Sequence, residues 1–113
     1  METKELMIGD KVMVKVLSQI PDTYVRHTWT ANDYSRDLQV KPIPLTPEIL
    51  EKNGWWFNVE DMWLNEDVNF SIEKWNGKFQ CYDISQIKLD SVHQLQQILR
   101  LCGLKGLADN FKV

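Results

Sequence analysis

The fold is decided by residues 91–103, SVHQLQQILRLCG, which have the pattern of an amphipathic helix. Ser91, or Asp90 before it, supplies the N-cap, and Gly103 can end the helix in the left-handed conformation. At about 100° per residue, the apolar side chains fall on one side of this helix. They form a predicted core-facing stripe of Val92, Leu95, Ile98, Leu99 and Cys102. We expect this helix to be the longer and more buried of two.

Residues 45–54, LTPEILEKNG, predict the other helix, of about two turns. Thr46 is its N-cap, and Pro47 occupies the first helical position, where a missing N–H costs nothing. Gly54 ends the helix. Two prolines within residues 40–45 predict an extended arm that leads into it.

Alternating apolar and polar residues around the two helices predict β-strands. The strongest hairpin signal is Asn76-Gly77, because both residues of such a turn take positive φ. The predicted strands are residues 6–16, 23–30, 55–59, 68–75 and 78–84. Residues 32–36 are expected to form a loop, and residues 61–67 a loop or an irregular edge. Residues 104–113 are expected to form a tail that docks as a short strand or turn. We therefore predict an α+β fold, a bent antiparallel sheet of about five strands with two helices packed on it. Its N-terminal part, entered at residues 8–12, is similar to an SH3-like barrel.

Length and composition indicate one domain, residues 1–113, with ordinary globular usage of apolar and charged residues. The net charge of −3, from 13 basic and 16 acidic side chains, argues against a broad phosphate-binding surface but leaves room for a local patch. No apolar run reaches the ~20 residues that span a bilayer, and no apolar segment follows the charged N-terminus. We expect a cytoplasmic protein without membrane contact, with Cys81 and Cys102 unbridged in a reducing compartment.

Three segments resemble a family of small uncharacterised proteins encoded by gut anaerobes of the Bacteroides group and by their phages and mobile elements. These segments are residues 6–12 (LMIGDKV), residues 43–50 (IPLTPEIL) with Gly54, and residues 92–96 (VHQLQ). Their order and spacing match the family pattern across most of the chain. Departures occur at Trp55-Trp56, at residues 97–101 and at Cys102, where the family more often has Phe, an aromatic pair and Thr. The resemblance implies a phage or mobile-element gene set, and it implies no reaction.

Five tryptophans are more than the centre of so small a domain can hold. Adjacent Trp55 and Trp56 on a strand point to opposite faces, so one of them should lie near the surface. Exposed Trp is a favoured residue of protein interfaces. The sequence therefore predicts an accessory or protein-interaction module with an unknown protein partner, whose surface includes Trp55, Trp56 and Trp63. The alternative role for most of the tryptophans is packing at the perimeter of the core.

The polar side of the longer helix is the other half of this predicted surface. It carries His93, Gln96, Gln97 and Arg100, a strip of donors that can bind a carboxylate, a phosphate or a partner's backbone. The alternative is a solvated face, with His93 bonded to a loop or packed beside the hairpin. His93, Gln96 and Arg100 are the predicted binding residues of this strip.

A nucleic-acid-binding module is the alternative function. Lys11, Lys15, Arg26 and His27 fall on the first two predicted strands and can form a basic stripe beside an aromatic residue. The net charge disfavours this interpretation, and salt-sensitive binding of DNA or RNA would favour it.

Enzymatic activity is the least favoured class. Two distant histidines and two lone cysteines give no metal-ligand spacing, and no nucleophile motif or phosphate-binding glycine loop is present. We therefore predict no catalytic residue, no metal and no cofactor. For assembly, we expect a monomer or a weak homo-oligomer.

Overall fold

Two antiparallel sheets and three α-helices make up the part of the chain that this computed structural model describes, residues 3–16, 23–58, 61–82 and 87–113. The strands are β1 (Lys11–Val16), β2 (Thr23–Thr28), β3 (Val40–Pro42), β4 (Trp56–Phe57), β5 (Met62–Leu64), β6 (Ile72–Trp75) and β7 (Lys78–Cys81). The helices are α1 (Pro47–Lys52), α2 (Val92–Leu101) and α3 (Lys105–Asp109), and short 3₁₀ helices cover Thr3–Glu5 and Ala31–Ser35. The predicted α+β class is confirmed.

The first three strands form one sheet in the order β2-β1-β3. In β1 the alternation places Val12 on a small core, where it is fully buried with Leu6, Trp29 and Val40. The indole ring of Trp29 packs edge-on against Tyr34, with ring centroids 5.7 Å apart. This sheet therefore has an apolar core of its own.

The remaining strands form a sheet in the order β4-β5-β6-β7, and the larger core lies between it and the helices. From α2, Val92, Leu95 and Leu99 enter this core and Ile98 packs at its margin, as the apolar stripe predicts. Cys102 does not, because α2 ends at Leu101 and Cys102 is its exposed C-cap.

The predicted helix ends are confirmed. The Thr46 hydroxyl accepts a hydrogen bond from the Ile49 N–H at 3.3 Å, and Pro47 begins α1. At the start of α2, the Gln94 side-chain oxygen accepts hydrogen bonds from the N–H groups of Asp90 and Ser91, at 2.8 and 3.1 Å. These bonds use donors that the first turn of a helix leaves unpaired.

The Asn76-Gly77 hairpin is also confirmed, with positive φ of 51° and 79° at the two turn residues. The Pro21-Asp22 dipeptide predicts a turn between the first two strands. This turn and the predicted strand ends at Val59 and Ile84 lie outside the described residues.

Four predictions of detail are wrong. The single bent sheet is two open sheets, so the SH3-like barrel is not formed. Residues 61–67 contain β5, whose short apolar run is flanked by acidic residues and becomes a strand because β4 and β6 pair with it on both sides. Residues 32–36 lie mostly in a 3₁₀ helix, and the tail contains α3.

Gly9 lies where the chain enters β1 and approaches α2 closely. Its φ is 95°, and a Cβ at this position would lie 2.9 Å from both Arg100 Nη2 and Asp109 Oδ1. Gly77 has a similar φ of 79° but open space where a Cβ would be. Substitution of Gly77 therefore introduces backbone strain alone, whereas substitution of Gly9 introduces backbone strain and a steric clash.

We expect Gly77→Ala to lower the free energy of unfolding by about 1 kcal/mol, because an L-residue is strained at positive φ. Gly9→Ala should lower it by about 1 kcal/mol more, because the methyl group also displaces the ends of the Arg100 and Asp109 side chains. Urea denaturation of both variants tests this, and equal losses would contradict the close approach of the β1 entry to α2.

Candidate functional site

The tryptophans predicted for a partner surface lie mostly inside. Trp55 and Trp63 are buried in the larger core, where their rings pack on Phe70 and Phe57 at centroid distances of 5.8 and 5.3 Å. Trp56 alone of the three is exposed, at 43%. The prediction that Trp55 and Trp63 belong to an accessible surface is wrong, because the four-stranded sheet packs them against the helices.

The predicted polar strip of α2 is also internal. Gln96 is fully buried, and its Oε1 accepts a hydrogen bond from the Lys11 N–H at 2.8 Å. Its Nε2 donates to the carbonyl oxygens of Gly9 and Ala108, each at 2.9 Å. Gln96 therefore joins β1 and α3 to α2, and it is neither a solvated residue nor an accessible binding residue.

Arg100 and His93 complete the internal strip. Arg100 pairs with the buried carboxylate of Asp10 and lies 3.4 Å from Asp109 Oδ1. His93 is buried, and its Nδ1 lies 3.1 Å from the Ser91 hydroxyl. Burial lowers the pKa of His93, although the charges of Asp10 and Glu5 oppose the change. The donors predicted to bind a partner are thus occupied by contacts within the chain.

The basic residues of β1 and β2 come together on one face of the three-stranded sheet. Lys11 lies opposite Thr28, and Lys15 lies opposite Tyr24. Arg26 and Lys41 both lie opposite Met13, one on each side of β1. Directly opposite residues of antiparallel strands share a face. We call this surface, formed by Lys11, Lys15, Tyr24, Arg26 and Lys41, the basic face.

A cleft of about 370 Å³ opens where the basic face meets the C-terminal segment. It is lined by Lys11, Arg26, His27, Thr28, Phe111, Lys112 and Val113, which include no carboxylate side chain. We call it the cationic cleft. Three of the four residues predicted for nucleic-acid contact therefore line one concave site, together with Lys112.

Contacts within the chain orient these cations. Lys11 Nζ donates to the Thr28 hydroxyl at 2.6 Å, and Arg26 Nη1 donates to the main-chain oxygen of Val113 at 2.5 Å. The backbone of Lys112 is held by Asn53, whose Oδ1 accepts from its N–H at 2.7 Å and whose Nδ2 donates to its carbonyl oxygen at 2.8 Å. The cleft is therefore built before any ligand arrives.

Lys41 and Lys15 extend the positive charge away from the cleft along the sheet. Lys41 Nζ lies 4.1 Å from the centroid of the Tyr24 ring, a cation–π contact. No motif in the sequence marks Lys41 or Lys112 as a binding residue. Lys41 lies on the arm before α1, and only the pairing of β3 with β1 places it beside Arg26.

His27 differs from the other predicted basic residues. It lies opposite Val12 in the register and so belongs to the other face of the sheet. Its Nε2 is 2.8 Å from Asp33 Oδ2, and Asp33 also accepts hydrogen bonds from the N–H and hydroxyl of Thr30. The prediction of one stripe is wrong for His27, although this residue still lines the cleft.

Asp33 is buried in this arrangement and caps the 3₁₀ helix. Burial by itself would raise the pKa of Asp33, but hydrogen bonds from His27 and Thr30 and the charge of His27 lower it to about 2.

Other chemistries find less support. Among the described residues, no three His, Cys, Asp or Glu side chains are grouped to hold a metal ion, and no helix is long and apolar enough to cross a membrane. No protein-family model matches the chain, and neither does any curated protein or solved structure. The resemblance to the Bacteroides-group family therefore stays a prediction.

Asp33 should stabilise the fold while it is ionised. Its ordinary pKa is about 3.9, so its contribution is complete above about pH 4 and is lost as the pH falls towards 2. Asp33→Asn should lower the free energy of unfolding by about 1–2 kcal/mol at neutral pH, and by less near pH 2. Urea denaturation across this range measures both values. Asp37→Asn, at an exposed position nearby, controls for the loss of one negative charge, and an equal effect of Asp33→Asn at both pH values would contradict the assignment.

Proposed function

We propose that this protein binds single-stranded nucleic acid on the basic face, with one phosphate group in the cationic cleft. The observation that carries the proposal is the lining of the cleft, where Lys11, Arg26 and Lys112 converge with no carboxylate side chain among the lining residues. Phosphate contacts by Lys and Arg supply most of the sequence-independent affinity for nucleic acid.

The net charge of −3 does not oppose this role as strongly as the sequence suggests. Charge acts locally within a Debye length of about 8–10 Å, and the basic face concentrates cations from three adjacent strands. A local cluster of cations attracts a polyanion even when the whole protein carries a net negative charge.

The shape of the site favours a single strand over a duplex. Reading the major groove requires a helix or a two-stranded ribbon that enters it, whereas the basic face is the broad side of a sheet. Single strands bind by tracking cations and by stacking bases on aromatic rings. Tyr24 offers such a ring among the cations, and the flexible Lys41 above it can move from the ring to a phosphate.

A protein-interaction module remains the second candidate, because one specific observation favours it. Trp56 and Phe57 form β4, at an edge of the four-stranded sheet, and are 43% and 53% exposed. Exposed aromatic residues at a sheet edge suit a partner's side chains. This surface of Trp56 and Phe57 is smaller than the one predicted from the sequence, which also included Trp55 and Trp63.

Both roles are consistent with action in the cytoplasm and with a phage or mobile-element gene set, which we retain as part of the proposal. An enzymatic role has no specific observation in its favour.

Fluorescence anisotropy with labelled single-stranded RNA, single-stranded DNA and duplex DNA of equal length tests the first proposal. We expect Arg26→Glu and Lys112→Glu each to weaken single-strand binding at least about tenfold, because each puts a negative charge in the cationic cleft. For about three phosphate contacts, log K should fall with log salt concentration with a slope of about −2. Lys78→Glu, which changes an exposed lysine of the β6–β7 hairpin, is the matched control and should bind as the unchanged protein does.

Two outcomes would contradict the proposal. One is the absence of binding at low salt, and the other is equal loss of affinity in the Lys78→Glu control and the cleft variants. A partner captured through Trp56, and lost in Trp56→Ala, would then place the protein-interaction role first.

A further inference from the structure

One sheet edge of this protein differs from the other described edges. β3 has three residues and ends in Pro42, β4 has two residues, and β7 is covered by residues 87–89 through the hydrogen bond from the Leu89 N–H to the Phe79 carbonyl oxygen. Short length, proline and covering segments are the usual means of protecting an edge. β2 has six residues and no proline, and it pairs with β1 alone among the described strands. Among the described residues, no segment forms a main-chain hydrogen bond with the outer side of Tyr24, Arg26 or Thr28.

The backbone of β2 presents its hydrogen-bonding groups at this open edge. The N–H groups of Lys11 and Lys15 point away from β2, since they bond to Gln96 Oε1 and to the Gln39 carbonyl oxygen. In an antiparallel ladder, the residues opposite such positions also point their N–H and C=O groups away from the pair. Tyr24 and Thr28 lie opposite Lys15 and Lys11. Arg26 lies two residues from each of them, so the N–H and C=O groups of all three residues point outward from β2.

The side chains of β2 make this edge complementary to itself. Val25 is 46% exposed and lies on the face opposite to Tyr24 and Arg26. If two β2 strands pair antiparallel about Val25, the two Val25 side chains meet and Tyr24 of each copy lies opposite Arg26 of the other. An apolar pair then forms across the strands, and the aliphatic part of each Arg26 side chain, whose Nη1 is bonded to Val113, lies beside a Tyr24 ring. In this register the outward N–H and C=O groups of residue 24 form hydrogen bonds with those of residue 26 in the other copy.

From these contacts we propose that the partner of the β2 edge is a second copy of this chain, in an antiparallel pairing centred on Val25. A register centred on Arg26 would place two guanidinium groups side by side, and like charges directly opposite oppose pairing. A six-residue strand offers less surface than the ~1,200 Å² of a stable interface, so the dimer is weak. It is one of the two assembly states, a monomer or a weak homo-oligomer, that the sequence left open.

Such a dimer joins the two three-stranded sheets into one sheet of six strands. The two-fold axis passes through the sheet at Val25, so both basic faces lie on the same side and form one surface of twice the length. The dimer itself depends only on the β2 edge, and it forms without nucleic acid.

Sedimentation equilibrium without nucleic acid is the first test. We expect the mass to rise with concentration from 13.3 kDa towards twice that value. Val25→Glu should keep the protein at the monomer mass, because it puts two carboxylates face to face, whereas Val25→Thr should leave the dimer in place. Since a folding defect could imitate the first result, Val25→Glu should then be mixed with Val25→Lys. The mixture should form a heterodimer while each variant alone stays monomeric.

Disulfide trapping tests the register. In a Cys102→Ser background, Val25→Cys should cross-link rapidly under mild oxidation, because residues at the two-fold axis have adjacent Cβ atoms. Thr28→Cys should not, since its two copies would be six strand residues, or about 20 Å, apart.

A monomer at every concentration overturns the proposal. So does a dimer that Val25→Glu leaves intact, or cross-linking of Thr28→Cys in preference to Val25→Cys. Because Val25 is outside the basic face, these results are distinct from failure of the nucleic-acid proposal, which the Lys112→Glu variant tests at a residue outside β2.

Discussion

The side chain of Gln96 makes the contacts on which the rest of this structure depends. From the middle of α2 it bonds to the backbone of Gly9, Lys11 and Ala108, and thereby holds the entry to β1 and the body of α3 against one helix. The ion pair between Arg100 and the buried Asp10 lies beside these bonds. Buried polar groups are costly unless they are paired, so each member of this network favours one relative placement of the three-stranded sheet and the helices.

That placement creates the cationic cleft. One wall of the cleft, with Lys11 and Arg26, belongs to the three-stranded sheet. The other wall, with Lys112, belongs to the segment that follows α3, and the cleft exists only where the two walls meet. Phe111 anchors this segment in the larger core, and Asn53 holds the backbone of Lys112 at the end of α1. The functional proposal therefore rests on long-range packing rather than on a sequence motif. The same packing leaves β2 at an open edge, next to the cations.

Local signals predicted the local structure well and the site poorly. The caps of α1 and α2 and the Asn76-Gly77 turn follow from the conformational limits of a few neighbouring residues, and all three are observed. Helical periodicity separates the polar side of α2 from its apolar side, and it therefore predicted Gln96 on an accessible strip. It carries no information on whether another part of the chain, here the entry to β1, covers the polar side. Lys11 and Arg26 were predicted together because their strands are adjacent, whereas Lys112, far away in sequence, gave no signal.

By itself, the sequence determined the α+β class, the positions of two helices and one hairpin, and the alternation that puts Val12 inward and Lys11 outward on β1. These features depend on periodicity and on φ preferences that act within a few residues. Only the tertiary structure decided that the strands form two sheets, that the strip of Gln96 and Arg100 is internal, and that the cations share one cleft. Those outcomes depend on contacts between residues as many as 92 positions apart, and no local sequence pattern reports the energies of such contacts.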